Sequence, residues 1–159
     1  RIDNDMSDPA ASYAEMTELT REVRRTFAAL REAVEGLHAE IGLSGAQRAV
    51  LELLGERGPM TTPRMASDKR MTRQSMQELV NALAERGLVQ SRVNPAHARS
   101  PLIGLTSEGS EVLIDVLKRE EGLLSPRFQN LTAPDVRRAA ATLRALQSAL
   151  EYPAELKIP

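Results

Sequence analysis

The stretch TTPRMASDKRMTRQSMQELVNALAERGLVQSRVNPAHARSPLIGLT, residues 61–106, decides how this chain folds. Within it, the Thr72 hydroxyl can cap the start of a helix, and Gly87 is a residue type that tolerates a left-handed helix end. Between these two residues, apolar side chains recur at helical spacing and predict a buried stripe, formed by Met76, Leu79, Val80 and Leu83. The stretch therefore contains a helix with well-marked ends.

The other side of this helix carries long polar side chains, namely Arg73, Gln74, Gln77 and Asn81. Arg and Gln have paired donors and acceptors that match guanine and adenine edges in the major groove of DNA. The pattern is typical of a DNA-recognition helix, although a solvated helix face has the same composition. The segments on either side of the helix favour recognition.

A short helix precedes the recognition helix, and two strands follow it. Thr61 or Thr62 can cap the short helix, with Pro63 in its first turn, where a missing N–H costs little. Residues 88–93 suit a strand, and after a turn residues 102–106 supply the returning strand. This order predicts a winged helix-turn-helix, a mainly α fold with a small β-hairpin wing.

The predicted wing places His97 and Arg99 at its tip. An exposed arginine beside a recognition helix can reach phosphates or the adjacent minor groove, where narrow stretches concentrate negative potential. His97 would strengthen a phosphate contact when protonated. A solvated histidine without a role in binding is equally compatible with the sequence.

Three segments, LSGAQRAVLELLGERGPMTTPRMA, MTRQSMQELVNALAERGLV and PLIGLTSEG, resemble the MarR family of bacterial winged-helix transcription regulators. The resemblance centres on residues 43–109 and extends over nearly all of the chain, because the family also places long helices before and after this core. It implies a dimeric DNA-binding regulator, most commonly a repressor whose affinity for DNA falls when a small molecule binds.

The chain departs from the family's usual pattern at several positions. Lys69 and Arg70 stand where the family usually has Leu-Gly. Glu78 stands where the family often has a basic residue, and its carboxylate would repel a facing phosphate. His97 and Ala98 replace an Asp-Arg pair, so that Arg99 alone keeps the charge of the wing. We expect DNA contacts from Thr62, Arg64, Arg70, Thr72, Arg73, Gln74, Ser75, Gln77, Arg92, His97 and Arg99.

Length and composition indicate one small, soluble intracellular domain of 159 residues. No apolar run approaches the ~20 residues of a membrane span, and no signal peptide is recognisable, so a cytoplasmic location is expected. Residues 1–5 do not resemble a natural start and are set aside. The absence of cysteine excludes thiol-based redox sensing, because that chemistry needs a thiolate.

The net charge of −1 conceals an uneven distribution. Residues 61–105 hold seven Lys and Arg against three Asp and Glu, whereas residues 1–60 hold seven against eleven. Clustered Lys and Arg neutralise phosphates and supply most non-specific affinity for DNA. The local excess of four positive charges therefore lies on the segment predicted to bind DNA.

The remaining sequence predicts helices for dimerisation. From Tyr13 to Ile41 apolar residues step by three or four, and a helix this long would extend ~43 Å, more than so small a core can cover. A monomeric helical bundle is the alternative.

The sequence also predicts how the chain is divided. We expect a tail at 1–12, a first dimerisation helix at 13–43 and the DNA-binding domain at 44–106. C-terminal dimerisation helices follow at 107–151, interrupted around residues 122–131, and a tail at 152–159 ends the chain. The expected interface residues are Met16, Leu19, Val23, Leu30, Leu131, Val136, Leu143, Leu146 and Leu150.

Catalytic and metal chemistry find little support in the sequence. His38 and His97 are the only histidines, no HxxxH spacing occurs, and no nucleophile is paired with a base. We expect no enzyme activity, cofactor or metal. His38 is expected to pack or to form a hydrogen bond beside the apolar residues of the first helix.

The leading hypothesis is a dimeric, sequence-specific regulator that binds an inverted-repeat operator. The alternative is a winged-helix protein-interaction or structural module, which Glu78 and the reduced charge of the wing favour. In the family, effectors such as phenolic acids occupy a crevice between the dimerisation helices and the winged domain. The resemblance places that crevice near Phe27, Leu30, Val34, His38, Arg48 and Leu113, and few aromatic side chains would line it.

Overall fold

The computed structural model describes residues 10–97 and 99–151, so the predicted tails lie largely outside the described residues. Its elements follow the order α1 (Tyr13–Ile41), α2 (Gly45–Arg57), β1 (Met60–Thr61), α3 (Thr62–Asp68), α4 (Arg73–Glu85), β2 (Val89–Arg92), β3 (Leu102–Leu105), α5 (Ser107–Leu124), a 3₁₀ helix (Ser125–Phe128) and α6 (Ala133–Glu151). This is the winged helix-turn-helix order that the sequence predicts. No helix among these residues is both long and apolar enough to cross a membrane.

Polar side chains define where the helices begin. The Thr72 hydroxyl accepts a hydrogen bond from Ser75 N at 3.0 Å and starts α4 as predicted. For α3 the cap is Thr61 and not Thr62, and its hydroxyl accepts from Arg64 N at 3.4 Å. Each cap satisfies a backbone N–H that has no partner within its helix.

The sheet has three antiparallel strands in the order β1-β3-β2, where the sequence predicts only a hairpin. In the hairpin, Val89 pairs with Leu105 and Arg92 pairs with Leu102. The additional strand, β1, lies on the side of β3 opposite β2 and pairs Met60 with Ile103. This third strand supplies partners for backbone groups of β3 and ties the base of the wing to the start of α3.

The hydrophobic core lies among α2, α3, α4, α5 and the sheet. Its largest fully buried side chains are Leu51, Met65, Met76, Leu83, Leu88, Val50 and Val116. Burying a side chain of this size stabilises the fold by about 1.5 to 3 kcal/mol relative to exposure. At Gly109, α5 passes so close to the backbone just before β2 that a Cβ would lie 1.9 Å from Leu88 O, and only glycine permits this approach.

The turn between α3 and α4 holds Arg70 in the left-handed region, with a φ of 52°. Glycine adopts this conformation without steric cost, whereas a side chain at this position costs about 1 kcal/mol or more. The resemblance implies a glycine at this point of the turn, and glycine adopts this conformation readily. Here the rest of the helix-turn-helix holds an arginine in the same geometry.

The described residues divide into two compact units, one ending at Glu120 and the other beginning at Glu121. In the second unit, the Thr132 hydroxyl accepts from Asp135 N at 3.4 Å and Pro134 lies in the first turn of α6. The predicted break, around residues 122–131, begins too early. Helix α5 continues to Leu124, and the 3₁₀ helix accommodates Pro126 in its first turn, where its missing N–H needs no partner.

Candidate nucleic-acid interface

The outward side of α4 presents the polar side chains that the sequence assigns to DNA. Arg73, Gln74, Gln77 and Asn81 are exposed, while Met76, Val80 and Leu83 are buried. Two hydrogen bonds run along this surface, from Gln74 Nε2 to Glu78 Oε1 at 3.2 Å and from Gln77 Nε2 to Asn81 Oδ1 at 2.8 Å. Residues one turn apart therefore hold each other in place on the exposed side.

Two of the predicted contact residues serve the start of α4. Thr72 accepts from Ser75 N and also donates from Oγ1 to Ser75 Oγ at 2.8 Å. Thr72 is exposed and Ser75 is half-buried. Their first role is to build the helix N-terminus, whose free N–H groups and dipole favour a phosphate.

Helix α3 contributes two more candidates. Thr62 is half-buried, and the exposed Arg64 forms an ion pair from Nε to Asp68 Oδ1 at 3.3 Å. Asp68 also binds Arg57, with 2.7 Å between Arg57 Nη1 and Asp68 Oδ2. The Asp68 carboxylate thus offsets part of the positive charge beside Arg70, which is exposed at the end of the turn.

A groove of about 410 Å³ separates α4 from the wing. Gln77 and Asn81 line its helical side, and Arg99 and Ser100 line its wing side. The wing therefore brings Arg99 beside the recognition helix. His97 is exposed at the tip, and its backbone N–H donates to Asn94 O at 3.2 Å.

Asn94 holds the turn of the wing, where the sequence predicts a turn beginning at Asn94 and Pro95. It is buried, its Nδ2 donates to Ser100 O at 2.8 Å, and its Oδ1 accepts from Ala96 N at 3.1 Å. An asparagine before a proline is a turn signal, and these hydrogen bonds show how the side chain stabilises the turn. Asn94 fixes the loop that carries Arg99.

Arg92 lines a different cavity from Arg99. Its side chain is exposed and lines a second cavity of about 400 Å³, with Pro59 and with Leu113 and Ile114 of α5. None of the α4 residues lines this cavity. Arg92 and Arg99 therefore face different cavities, although both belong to the wing.

The residues assigned to an effector crevice do not all converge. Phe27 and Leu30 are exposed on α1, Val34 is half-buried, and Leu113 belongs to the buried core. Of the six residues, His38 and Arg48 come together, because both bind the same carboxylate. Neither of the two cavities described above includes Phe27, Leu30 or Val34.

His38 and Arg48 meet at Glu120, which sequence reasoning missed. Glu120 Oε1 accepts from Arg48 Nε at 2.9 Å and lies 2.7 Å from His38 Nε2, while Oε2 accepts from Arg48 Nη2 at 2.7 Å. Arg48 also binds Glu52 at 2.6 Å. We call His38, Arg48 and Glu120 the junction cluster, because it joins α1, α2 and α5.

The junction cluster is largely removed from solvent, with side-chain exposures of 9% for His38, 19% for Arg48 and 12% for Glu120. Burial would raise the pKa of Glu120, but the hydrogen bonds from Arg48 and His38 more than offset it and hold that pKa below 4.5. Burial lowers the pKa of Arg48, and its bonds to Glu120 and Glu52 raise it above the ordinary value. The prediction that His38 forms a hydrogen bond is confirmed.

A second contact connects α1 to the recognition helix. Arg86, the residue that follows α4, donates from Nη1 to Gly42 O at 2.6 Å and from Nη2 to Ile41 O at 3.2 Å. The end of a helix has carbonyl groups without internal partners, and a cation satisfies them well. The last turn of α1 is therefore held by α4 through Arg86 and by α5 through Glu120.

The residues assigned to a dimer interface are mostly exposed within the single chain. Val23 and Leu30 are exposed on α1, where Met16 and Leu19 are half-buried. In the second unit, Leu146 is half-buried and four residues are exposed, Leu131, Val136, Leu143 and Leu150. Among the described residues, no group of three or more His, Asp or Glu side chains is placed to hold a metal ion.

Comparisons with known proteins agree with this geometry. Residues 41–100 match the sequence model of the MarR family. An uncharacterised protein of Mycobacterium tuberculosis is 31% identical over an alignment of 138 residues, with 82% of this chain and 96% of that protein covered.

Two solved proteins share the fold. A MarR family protein from Bacillus stearothermophilus has a TM-score of 0.74 and 17% identity, covering 90% of this chain and 100% of its own. CouR from Rhodococcus jostii RHA1, bound to p-coumaroyl-CoA, has a TM-score of 0.73 and 24% identity, covering 85% of this chain and 95% of its own. The repressor CouR bound to a 23-mer DNA duplex has a TM-score of 0.70 and 24% identity, covering 88% of this chain and 99% of its own.

Sequence model, fold and the polar outward side of α4 all agree, and the chain belongs to the MarR family of winged helix-turn-helix transcription regulators.

Proposed function

We propose that this protein is a dimeric, sequence-specific DNA-binding regulator that acts as a repressor and is released by a small-molecule effector. The observation that carries the proposal is the exposed row of Arg73, Gln74 and Gln77 on α4, beside a wing that presents Arg99. A helix of this shape fits the major groove, and its Arg and Gln side chains match base edges there.

Charge supports DNA as the partner. Residues 61–105, with seven basic and three acidic side chains, form the recognition helix, its lead-in and the wing. The remaining proposed contacts, Thr62, Arg64, Arg70, Thr72, Ser75, Arg92 and His97, would position the protein on phosphates. Among its structural relatives, the repressor CouR has been solved on a 23-mer duplex.

Exposed apolar side chains support a homodimer. Phe27 and Leu30 lie uncovered on α1, and Leu143 and Leu150 lie uncovered on α6. Exposed apolar residues at helical spacing are stabilised when a partner covers them. A two-fold dimer would set its recognition helices about 34 Å apart, and the operator would be an inverted repeat with half-sites about 10 base pairs apart.

For the effector we propose a small organic acid or a related amphipathic molecule, bound near Phe27, Leu30, Val34, His38, Arg48 and Leu113. The support is that CouR binds p-coumaroyl-CoA, and that Arg48 offers this part of the chain a cation. Because Arg48 already binds Glu120 and Glu52, an acidic ligand would have to compete for it. We propose no catalytic role, and a cytoplasmic location.

The deciding experiment is binding to the DNA upstream of the protein's own coding region, since regulators of this family commonly control themselves or a neighbouring gene. We expect footprinting to show a protected inverted repeat and a labelled duplex to bind far more tightly than a scrambled one. The variant Arg73→Ala should lose this difference. Arg31→Ala, which removes the same charge from an exposed position on α1, is the matched control and should keep it.

Equal binding to operator and scrambled duplexes at every salt concentration would overturn the proposal. Non-specific binding alone counts against it, because any basic surface binds DNA at low salt. That result would favour the protein-interaction module, which the negative charge of Glu78 on the exposed side of α4 supports.

A further inference from the structure

Glu78 lies on the outermost side of α4 together with Gln74. Met76 is fully buried. A helix turns by about 100° per residue, so Gln74 and Glu78, two positions before and after Met76, lie about 160° from it in opposite directions around the helix. Gln74 and Glu78 therefore flank the line directly opposite the buried side. Both side chains are exposed, and they share the hydrogen bond from Gln74 Nε2 to Glu78 Oε1.

Glu78 brings a negative charge to the exposed side of α4. Beside the turn that precedes this helix, Arg57 and Arg64 both pair with Asp68. A carboxylate at the position of Glu78 is repelled by phosphates, so that it opposes binding wherever the DNA offers it only acceptors. It favours binding only at a base that offers a hydrogen-bond donor.

The four bases differ clearly in the groups that their major-groove edges offer to a carboxylate. Guanine presents the acceptors N7 and O6, and thymine presents the acceptor O4 and a methyl group. Adenine has a donor amino group, but its acceptor N7 lies beside it. Cytosine presents its N4 amino group with no acceptor on its own major-groove edge, and a glutamate accepts from that group.

On the basis of the DNA binding proposed above, we infer that Glu78 determines specificity by accepting a hydrogen bond from the N4 amino group of one cytosine in each half-site. Gln74 remains able to bond to an adenine, because its bond to Glu78 uses one of its two amide hydrogens and leaves Oε1 available. The bond between the two side chains keeps them at neighbouring positions in the groove.

The test begins with selection from a library of duplexes with a randomised core, using the full chain as wild type, Glu78→Gln and Glu85→Gln. Glu85 lies two turns further along the same side of α4 and is also exposed, so that its variant removes the same charge away from the N-terminal half that enters the groove. Binding of the selected duplex is then measured by fluorescence anisotropy. Each C·G pair is replaced in turn, and each cytosine is also replaced by pyrimidin-2-one, which lacks the amino group.

We expect one cytosine per half-site whose replacement, including loss of the amino group alone, weakens wild-type binding about tenfold. Glu78→Gln should reduce this penalty at that position, because its neutral amide oxygen accepts more weakly than the carboxylate. It should also bind scrambled DNA somewhat more tightly, because a repulsive charge is gone. Glu85→Gln should keep the penalty. Circular dichroism is expected to show the same fold for all three proteins, since both positions are exposed.

Two results would overturn the inference while leaving the proposed function intact. The first is a Glu78→Gln variant that selects the wild-type consensus with unchanged penalties at every cytosine. The second is a variant that loses preference only at the adenine position, which would show that Glu78 acts solely by holding Gln74. A wild-type protein that enriches no sequence would remove the proposed function, and the inference with it.

Discussion

Replacing Glu120 with glutamine should destabilise the first unit by about 2 to 3 kcal/mol at neutral pH. The amide keeps one acceptor oxygen but turns an N–H group toward a donor of the junction cluster, so that at least one charged hydrogen bond is lost. With Arg48 and His38 both largely buried, water replaces the lost bond poorly. Relief of the carboxylate's own burial offsets part of this loss.

The pH dependence gives the prediction a second readout. Because the pKa of Glu120 is lower in the folded protein than its ordinary value of 4.5, its stabilising effect is complete above that value. The effect disappears as the pH falls through the folded pKa. The difference between wild type and Glu120→Gln should therefore be full at about pH 7 and should shrink at about pH 3.

Urea unfolding followed by circular dichroism measures both quantities, at equal protomer concentrations because association would add to stability. The matched control is Glu121→Gln, which makes the same change at the neighbouring, exposed position and should shift stability by less than about 0.5 kcal/mol. If Glu120→Gln and Glu121→Gln have the same unfolding free energy at neutral pH, the junction cluster does not hold the fold together.

Three further predictions concern DNA and assembly. Gln74→Ala should reduce the preference for operator over scrambled DNA by about 1 to 3 kcal/mol in an anisotropy assay, with non-specific affinity nearly unchanged; full discrimination would argue against its role in base readout. Arg99→Ala should weaken binding to all duplexes and lower the slope of log affinity against log salt by about one unit per half-site, and an unchanged slope would place the wing away from phosphates. Leu30→Glu or Leu143→Glu should give monomers or unfolded protein in light scattering, because a buried unpaired carboxylate costs several kcal/mol, about 3 or more; a wild-type monomer at micromolar concentration would contradict the dimer.

Local signals in the sequence predicted the recognition helix well. The cap at Thr72, the buried positions Met76, Val80 and Leu83, and the left-handed Gly87 were all found where the pattern placed them. Each depends on interactions between residues at most four apart, which the sequence displays directly. The exposed row on α4 follows from the same periodicity.

The strand β1 could not be predicted in this way. Met60–Thr61 is too short to show an alternating pattern, and it exists because Ile103 and Leu102 lie beside it in the folded chain. The left-handed conformation of Arg70 is also imposed by its surroundings, since arginine has no preference for it.

By itself, the sequence determined the types and limits of most helices, the polar outward side of α4 and the basic balance around it, because these properties arise within a few residues. Only the tertiary structure decided which distant candidates meet. Glu120 lies 72 and 82 residues from Arg48 and His38, and Arg86 lies 44 residues from Gly42. The same packing directs Arg92 toward α5 and Arg99 toward α4, although both belong to one hairpin. Such convergence depends on how whole elements pack, and no local propensity encodes it.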